Sequence, residues 1–138
     1  MLIVADTGAI IALIDADEQH HSQLLELYDA DPDSWVLPWA ILPEVDSLLE
    51  TRVGRRAQQR FSADLTDGVF RLEWGQDSDF ARAQELDRRY RALKLGLVDA
   101  IVMATCERLG GDAIATLDLR HFGAVTLNGS PRLLPRDA

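Results

Sequence analysis

Met1-Leu2-Ile3-Val4-Ala5-Asp6-Thr7-Gly8 opens the chain, and Ala9-Ile10-Ile11-Ala12-Leu13-Ile14 follows it directly. Five apolar residues in a row are too few for a helix and read as a strand buried on both faces. The run stops at Asp6, and a second apolar run begins three residues later. A strand that turns at once into a helix puts the acid between them at the strand's carboxyl end. In an open α/β sheet that edge is where ligands bind.

Further along, the same alternation repeats. Asp15-Ala16-Asp17-Glu18 reads as a turn, and His20 to Tyr28 as a helix. Asp31-Pro32-Asp33-Ser34 turns the chain into a second strand, Trp35-Val36-Leu37-Pro38. Ile41, Leu42, Val45, Leu48 and Leu49 mark a helical stripe, which accepts Pro43 only in its first turn. Gly68 to Leu72 reads as a third strand. Asp79 can cap a helix running to about Leu93, with Phe80, Ala83, Leu86, Tyr90 and Leu93 as its buried stripe. After the break at Leu95-Gly96-Leu97, residues 98–109 form a further helix, stopped by Gly110-Gly111. Ala113-Ile114-Ala115-Thr116 is a fourth strand, ending at Asp118. The tail, through Ala124–Leu127 and Leu133-Leu134, offers a short fifth. The pattern predicts an α/β fold. It is a single domain over 1–138, with a central parallel sheet of four to five short strands and helices on both faces.

Composition narrows the function. A hydrophobic share of 47% and a charged share of 27% belong to an ordinary globular domain. No basic leader precedes Asp6 and no apolar run approaches a membrane span, so a cytoplasmic protein is expected. Cys106, the single cysteine, falls in an apolar helical pattern and reads as a small core residue. His20 and His21 are adjacent and cannot share a helix face, so they read as surface or packing residues, not a metal pair. Net charge is −9, and it is uneven: residues 1–50 carry −11 with no Lys or Arg, and residues 51–138 carry +2. That balance excludes a protein that coats nucleic acid non-specifically. It does not exclude a nuclease, whose metal-binding carboxylates count as negative until the ion is bound.

Asp6, Glu44, Asp99 and Asp118 all fall where a strand has just ended or a helix has just begun. Singly, each has a structural reading. Asp6 suits a helix cap, Glu44 and Asp99 suit the positive end of a helix dipole, and Asp118 suits an Asx turn. Collectively they do not, because a parallel sheet brings the carboxyl ends of all its strands to one edge. Two carboxylates ~4 Å apart repel by about 4 kcal/mol at an effective dielectric of ~20. Lys94 is the chain's only lysine, and the set calls for a cation. All-oxygen ligands point to Mg²⁺ or Mn²⁺, and such an ion can orient and activate a water for in-line attack on a phosphodiester. Arg52, Arg55, Arg56 and Arg60 recur at helical spacing and form either a phosphate-holding face or a solvated one.

Four segments, in this order, resemble the PIN domain, and specifically the VapC toxins of bacterial toxin–antitoxin pairs. They are Ile3-Val4-Ala5-Asp6-Thr7, Pro43-Glu44-Val45, Val98-Asp99-Ala100-Ile101-Val102-Met103-Ala104-Thr105, and Ala115-Thr116-Leu117-Asp118-Leu119-Arg120-His121-Phe122. The resemblance covers essentially the whole chain. It implies a Mg²⁺- or Mn²⁺-dependent endoribonuclease with RNA as substrate, its metal held by Asp6, Glu44, Asp99 and Asp118. Thr116 would hydrogen-bond within the catalytic site. It further implies a homodimer neutralised by a VapB-like antitoxin, whose tail the acidic amino-terminal segment suits electrostatically. Gly8 departs from the serine that many relatives carry. Asp46, two residues from Glu44 on a helix, would point elsewhere and is left out.

The alternatives fit less well. Asp6-Thr7-Gly8-Ala9 is similar to the active-site turn of retroviral-type aspartic proteases, but those are β-rich and this chain is mostly helical by pattern. A haloacid-dehalogenase phosphatase needs a second Asp where Gly8 stands. A receiver domain needs a lysine after a late strand. The remaining alternative is a PIN-fold RNA-binding or scaffold protein that no longer cuts.

Overall fold

The computed structural model describes residues 1–138. Its sheet has five parallel strands: β1 (Ile3–Ala5), β2 (Trp35–Pro38), β3 (Arg71–Glu73), β4 (Ala113–Ala115) and β5 (Arg132–Leu134), in the order β3-β2-β1-β4-β5. Seven helices lie between and beside them: α1 (Thr7–Ile14), α2 (His21–Ala30), α3 (Leu42–Arg52), α4 (Arg55–Thr66), α5 (Asp77–Arg89), α6 (Gly96–Leu109) and α7 (Leu119–Phe122). β1, β2 and β4 are buried along their whole length, which is why each reads as an unbroken apolar run. α1 is apolar almost all round and has six of its eight residues buried, so it is an internal helix.

β1 is central, and the order makes it decisive. From β1 the chain winds outward through β2 to β3, then returns to β1's other side for β4 and β5. The switch point of this sheet therefore lies between β1 and β4, where a doubly wound fold opens its ligand crevice. Register fixes what faces it. Ile3, Val4 and Ala5 pair with Ala113, Ile114 and Ala115, so Asp6 and Thr116 come next on neighbouring strands. The Asp6 amide donates to the Ala115 carbonyl at 2.9 Å, carrying the ladder one step beyond β1.

Several expectations shift at the sheet's margins. The fifth strand is Arg132–Leu134; residues 124–127 are a loop that sends Leu127 into the core. β3 begins at Arg71 because Gly68, at φ 73°, is still turning the chain. α5 starts two residues before Asp79, and its cap is Gln76. Asp79 closes the reciprocal half of that capping box, accepting from the Gln76 amide at 3.0 Å. Phe80, expected to be buried, is 55% exposed. It lies in the first turn of α5, beside an apolar hollow of about 310 Å³ that it shares with Trp39, Trp74 and Leu97. No helix is long and apolar enough to cross a membrane.

Candidate metal centre at the β1–β4 crevice

Asp6 occupies the N-cap position of α1, yet its side chain makes no capping bond. The carboxylate points to Thr116 instead, whose hydroxyl donates to Asp6 Oδ2 at 2.9 Å. The same hydroxyl oxygen accepts from the Asp118 amide at 3.0 Å. Thr116 thus links the ends of β1 and β4 and uses both its donor and an acceptor position to do so. Asp118 in turn caps α7, accepting from the His121 amide at 3.1 Å. This short helix returns the His121 ring to the acids. Nδ1 lies 2.6 Å from Asp99 Oδ2 and 3.2 Å from Asp118 Oδ2. Asp99 arrives from the first turn of α6.

Asp99, Asp118 and His121 are the tight group, with ligand atoms all within 4.8 Å of one another. Asp6 joins through Thr116. Glu44 stands in the first turn of α3, solvent-exposed, without a hydrogen bond to the others, and reaches the site only through its charge on Asp99. His121 was not among the expected site residues. It supplies the basic partner that the sequence lacked to the eye, and its signal was the i, i+3 spacing from Asp118 in an Asp-x-x-His turn.

Electrostatics records the crowding. Burial, followed by the nearby Asp99 charge, pushes the Asp6 carboxyl up to about 7, although hydrogen bonds from the Thr7 backbone and Thr116 oppose the rise. Asp99 is also raised, chiefly by burial, against its bond to His121 and with the charges of Asp118 and Glu44 added. His121 is raised above an ordinary histidine, mainly by its bond to Asp99 and against burial, with Asp118 adding to it. The His121 ring, lodged between the carboxylates of Asp99 and Asp118, is the basic group that meets them. One more polar atom is unsettled: the Thr7 hydroxyl, next to Asp6, is buried and has no protein partner. A buried hydroxyl in that position suits the water or ion chemistry that carboxylate clusters attract.

Other candidates for chemistry prove structural. The His21 ring bonds the Ala12 carbonyl at 2.8 Å, and His20 pairs with Glu18. Cys106 is buried, and desolvation pushes its thiol up to about 12, so it is inert. Asp46 accepts from Gln58 of α4 at 3.1 Å.

The PIN domain family model matches residues 3–126. Ribonuclease VapC26 of Mycobacterium tuberculosis is 30% identical over 130 residues, spanning 94% of this chain and 96% of the relative. The chain is a PIN-domain protein of the VapC family. Among solved structures, the VapC20 toxin of M. tuberculosis, described as cleaving the sarcin–ricin loop, superposes with a TM-score of 0.80 at 24% identity. That match covers 92% of this chain and 97% of the other. The DNA-bound VapBC complex of Salmonella typhimurium gives 0.73 at 15% identity, over 96% and 97% of the two chains. At those identities the two structures speak for the fold. They show that this chain shares its overall fold with VapC proteins.

Proposed function

We infer that this VapC-family protein is an endoribonuclease, the toxin of a toxin–antitoxin pair held in check by a cognate VapB-type antitoxin. The observation that carries the reading is the continuous set Asp6–Thr116–Asp118–His121–Asp99, built at the switch point of the sheet. It gathers more acid than its one base neutralises. A metal-free fold gains nothing from such crowding; a site for a divalent cation requires it.

Asp6, Asp99 and Asp118 would hold the ion, Glu44 would complete its charge from the rim, and His121 adds a nitrogen to an otherwise all-oxygen set. Mg²⁺ and Mn²⁺ both suit carboxylates, and the imidazole tilts the choice toward Mn²⁺. When bound, the ion supplies Lewis-acid polarisation of the phosphodiester and a water of lowered pKa. The chain's own residues do the positioning. Thr116 fixes the rotamer of Asp6 and the backbone of Asp118 through one hydroxyl. His121 sets the separation of Asp99 and Asp118 and offsets their repulsion until the ion arrives. The proposed assembly is a homodimer, and the −11 amino-terminal segment favours a basic antitoxin tail.

The test is cleavage of a panel of structured RNAs by purified, antitoxin-free protein with Mg²⁺, with Mn²⁺ and with EDTA, alongside Asp99→Asn. Metal-dependent cuts that vanish in the variant are expected. Absence of cleavage in either metal, by protein shown to be folded, would instead mark a PIN-fold RNA-binding or scaffold protein.

A further inference from the structure

A cleft lined by carboxylates repels the phosphates of RNA, so cations elsewhere on the surface must help to hold the substrate's backbone. Two stretches concentrate exposed arginines. Arg88 and Arg89 sit in the last turn of α5, the end of a helix that cations stabilise, and Arg89 also lies over the Tyr90 ring at 5.7 Å. Their own helix accounts for them. The second stretch is the turn between α3 and α4, and there the helix does not.

Residues 51–63 contain Arg52, Arg55, Arg56 and Arg60 and no acid, in a chain of net charge −9. Arg52 ends α3, and Gly54, at φ 143°, turns the chain into α4. Arg55 and Arg56 fill the first turn of α4, where the dipole disfavours cations, and that turn has neither an acid nor a side-chain cap. Arg56 and Arg60 follow at i, i+4, a like-charge spacing that weakens the helix further. All four are exposed, and Arg60 alone has an acid partner, Asp64 at 3.2 Å. Arg55 has only a long bond to Gln58, at 3.5 Å. Arg56 and Arg60 line one surface hollow with Val53 and Ala57.

The patch has a fixed relation to the metal centre. Arg52 is eight residues beyond Glu44 on α3, about 12 Å along the helix axis. α4 folds back on α3, its Gln58 donating to Asp46 and Glu50 at 3.1 Å each, so Arg55 and Arg56 stay at that far end. A helical strand advances ~3.4 Å per nucleotide, which puts the patch several nucleotides from a bond held at the acids.

We propose that Arg52, Arg55, Arg56 and Arg60 form a second RNA surface, which holds backbone phosphates of a structured substrate several nucleotides from the scissile bond. The inference takes its ligand from the nuclease reading above. It adds a substrate class, RNA long and folded enough to span both places. Guanidinium groups match phosphate oxygens in this role, and none of the four has to enter the cleft.

A fluorescein-labelled RNA hairpin of about 30 nucleotides, titrated by anisotropy in EDTA across a salt series, tests the surface directly. The test pair is Arg55→Gln with Arg56→Gln, and Arg55→Lys with Arg56→Lys preserves the charge. Arg71→Gln with Arg132→Gln, at the amino-terminal edge of the sheet, controls for bulk charge. The Gln pair should lower the slope of log K against log salt by about 1.4 to 1.8, as two phosphate contacts are lost. KM for hairpin cleavage should rise about tenfold with kcat unchanged, whereas kcat/KM for a single strand of about five nucleotides should not move. The Lys pair should keep the wild-type slope, and the control pair should alter neither reading. Because these side chains are exposed, the Gln pair should also keep the wild-type urea midpoint. A hairpin slope unchanged by the Gln pair overturns the surface and leaves its arginines to an acidic protein partner. An equal fall in the control pair, or an equal loss on the short strand, overturns it as well. A wild-type protein that cleaves neither RNA, while the Gln pair still loses its slope, overturns the nuclease reading and sustains this surface.

Discussion

Two polar clusters in this molecule are built from similar numbers of acids and treat them in opposite ways. Along the seam between α5 and α6, each acid meets an arginine. Arg108 grips Asp79 with two bonds of 2.7 and 3.0 Å and reaches Glu73 at 2.7 Å. Arg82 grips Glu107 at 2.6 and 3.0 Å, and the Asn128 amide adds a third bond to Glu107. At the β1–β4 crevice, Asp6, Asp99, Asp118 and the outlying Glu44 share one histidine. In the first cluster every acid is held by a guanidinium, and in the second none is. Complete pairing marks a structural joint; buried acids without a guanidinium partner mark a place that waits for a ligand.

The sharpest way to break that contrast is to remove one acid from each side. Asp99→Asn should lower single-turnover RNA cleavage by about a thousandfold, the several kcal/mol a bound metal contributes to such a transition state. Asp6→Asn should do likewise and also raise the unfolding midpoint in EDTA, because it removes a buried carboxyl that nothing neutralises. A lowered midpoint would mean that Asp6 is a stabilising group and the crevice is already complete. At the seam the sign reverses. Arg108→Met strands the buried Asp79 carboxylate and should cost about 3 kcal/mol in urea unfolding. The residual folded protein should keep its metal preference.

Next in size is His121→Asn, which removes the nitrogen and the basic group together. Activity should fall ten- to a hundredfold. The Mn²⁺-over-Mg²⁺ preference should also shrink, and an unaltered ratio of the two rates would show that His121 only spaces the acids. The smallest effect is a pH dependence at the seam. Burial pushes Glu107 up, but the Arg82 hydrogen bonds and the Asn128 amide outweigh it, and the group sits below an ordinary glutamate. Its contribution is therefore present above the unfolded glutamate value of 4.5 and lost as pH falls through the lower folded value. Chemical denaturation of wild type and Glu107→Gln between neutral and acid pH should show the two stabilities converging on the acid side. Curves that stay parallel would remove Arg82–Glu107 from the set of joints.

How far each region was legible follows from how local its causes are. β1, β2 and β4 announce themselves because both faces of a central parallel strand need apolar residues. The acids at their ends could be placed on one edge from topology alone, without a contact being known. Phe80 was misjudged because the helical stripe is a property of one helix, and burial also needs a neighbour long enough to cover its first turn. The fifth strand was only partly placed, since Ala124–Leu127 and Leu133-Leu134 are equally apolar and pairing with β4 selects between them. His121 was overlooked for a related reason. Its partner Asp99 is 22 residues away, and only the return of α7 brings them together.

That return has a cost of its own kind. α7 is four residues long, too short to persist by itself, and the bond closing its start comes from Asp118. The carboxylate proposed to hold the metal is thus also the stitch that ends β4 and starts the carboxyl-terminal turn. A lineage that abandoned cutting could trade Glu44 freely, since nothing in the fold leans on it. It could not shed Asp118 without reshaping the tail, so disarmed descendants should keep that acid long after its chemistry has gone.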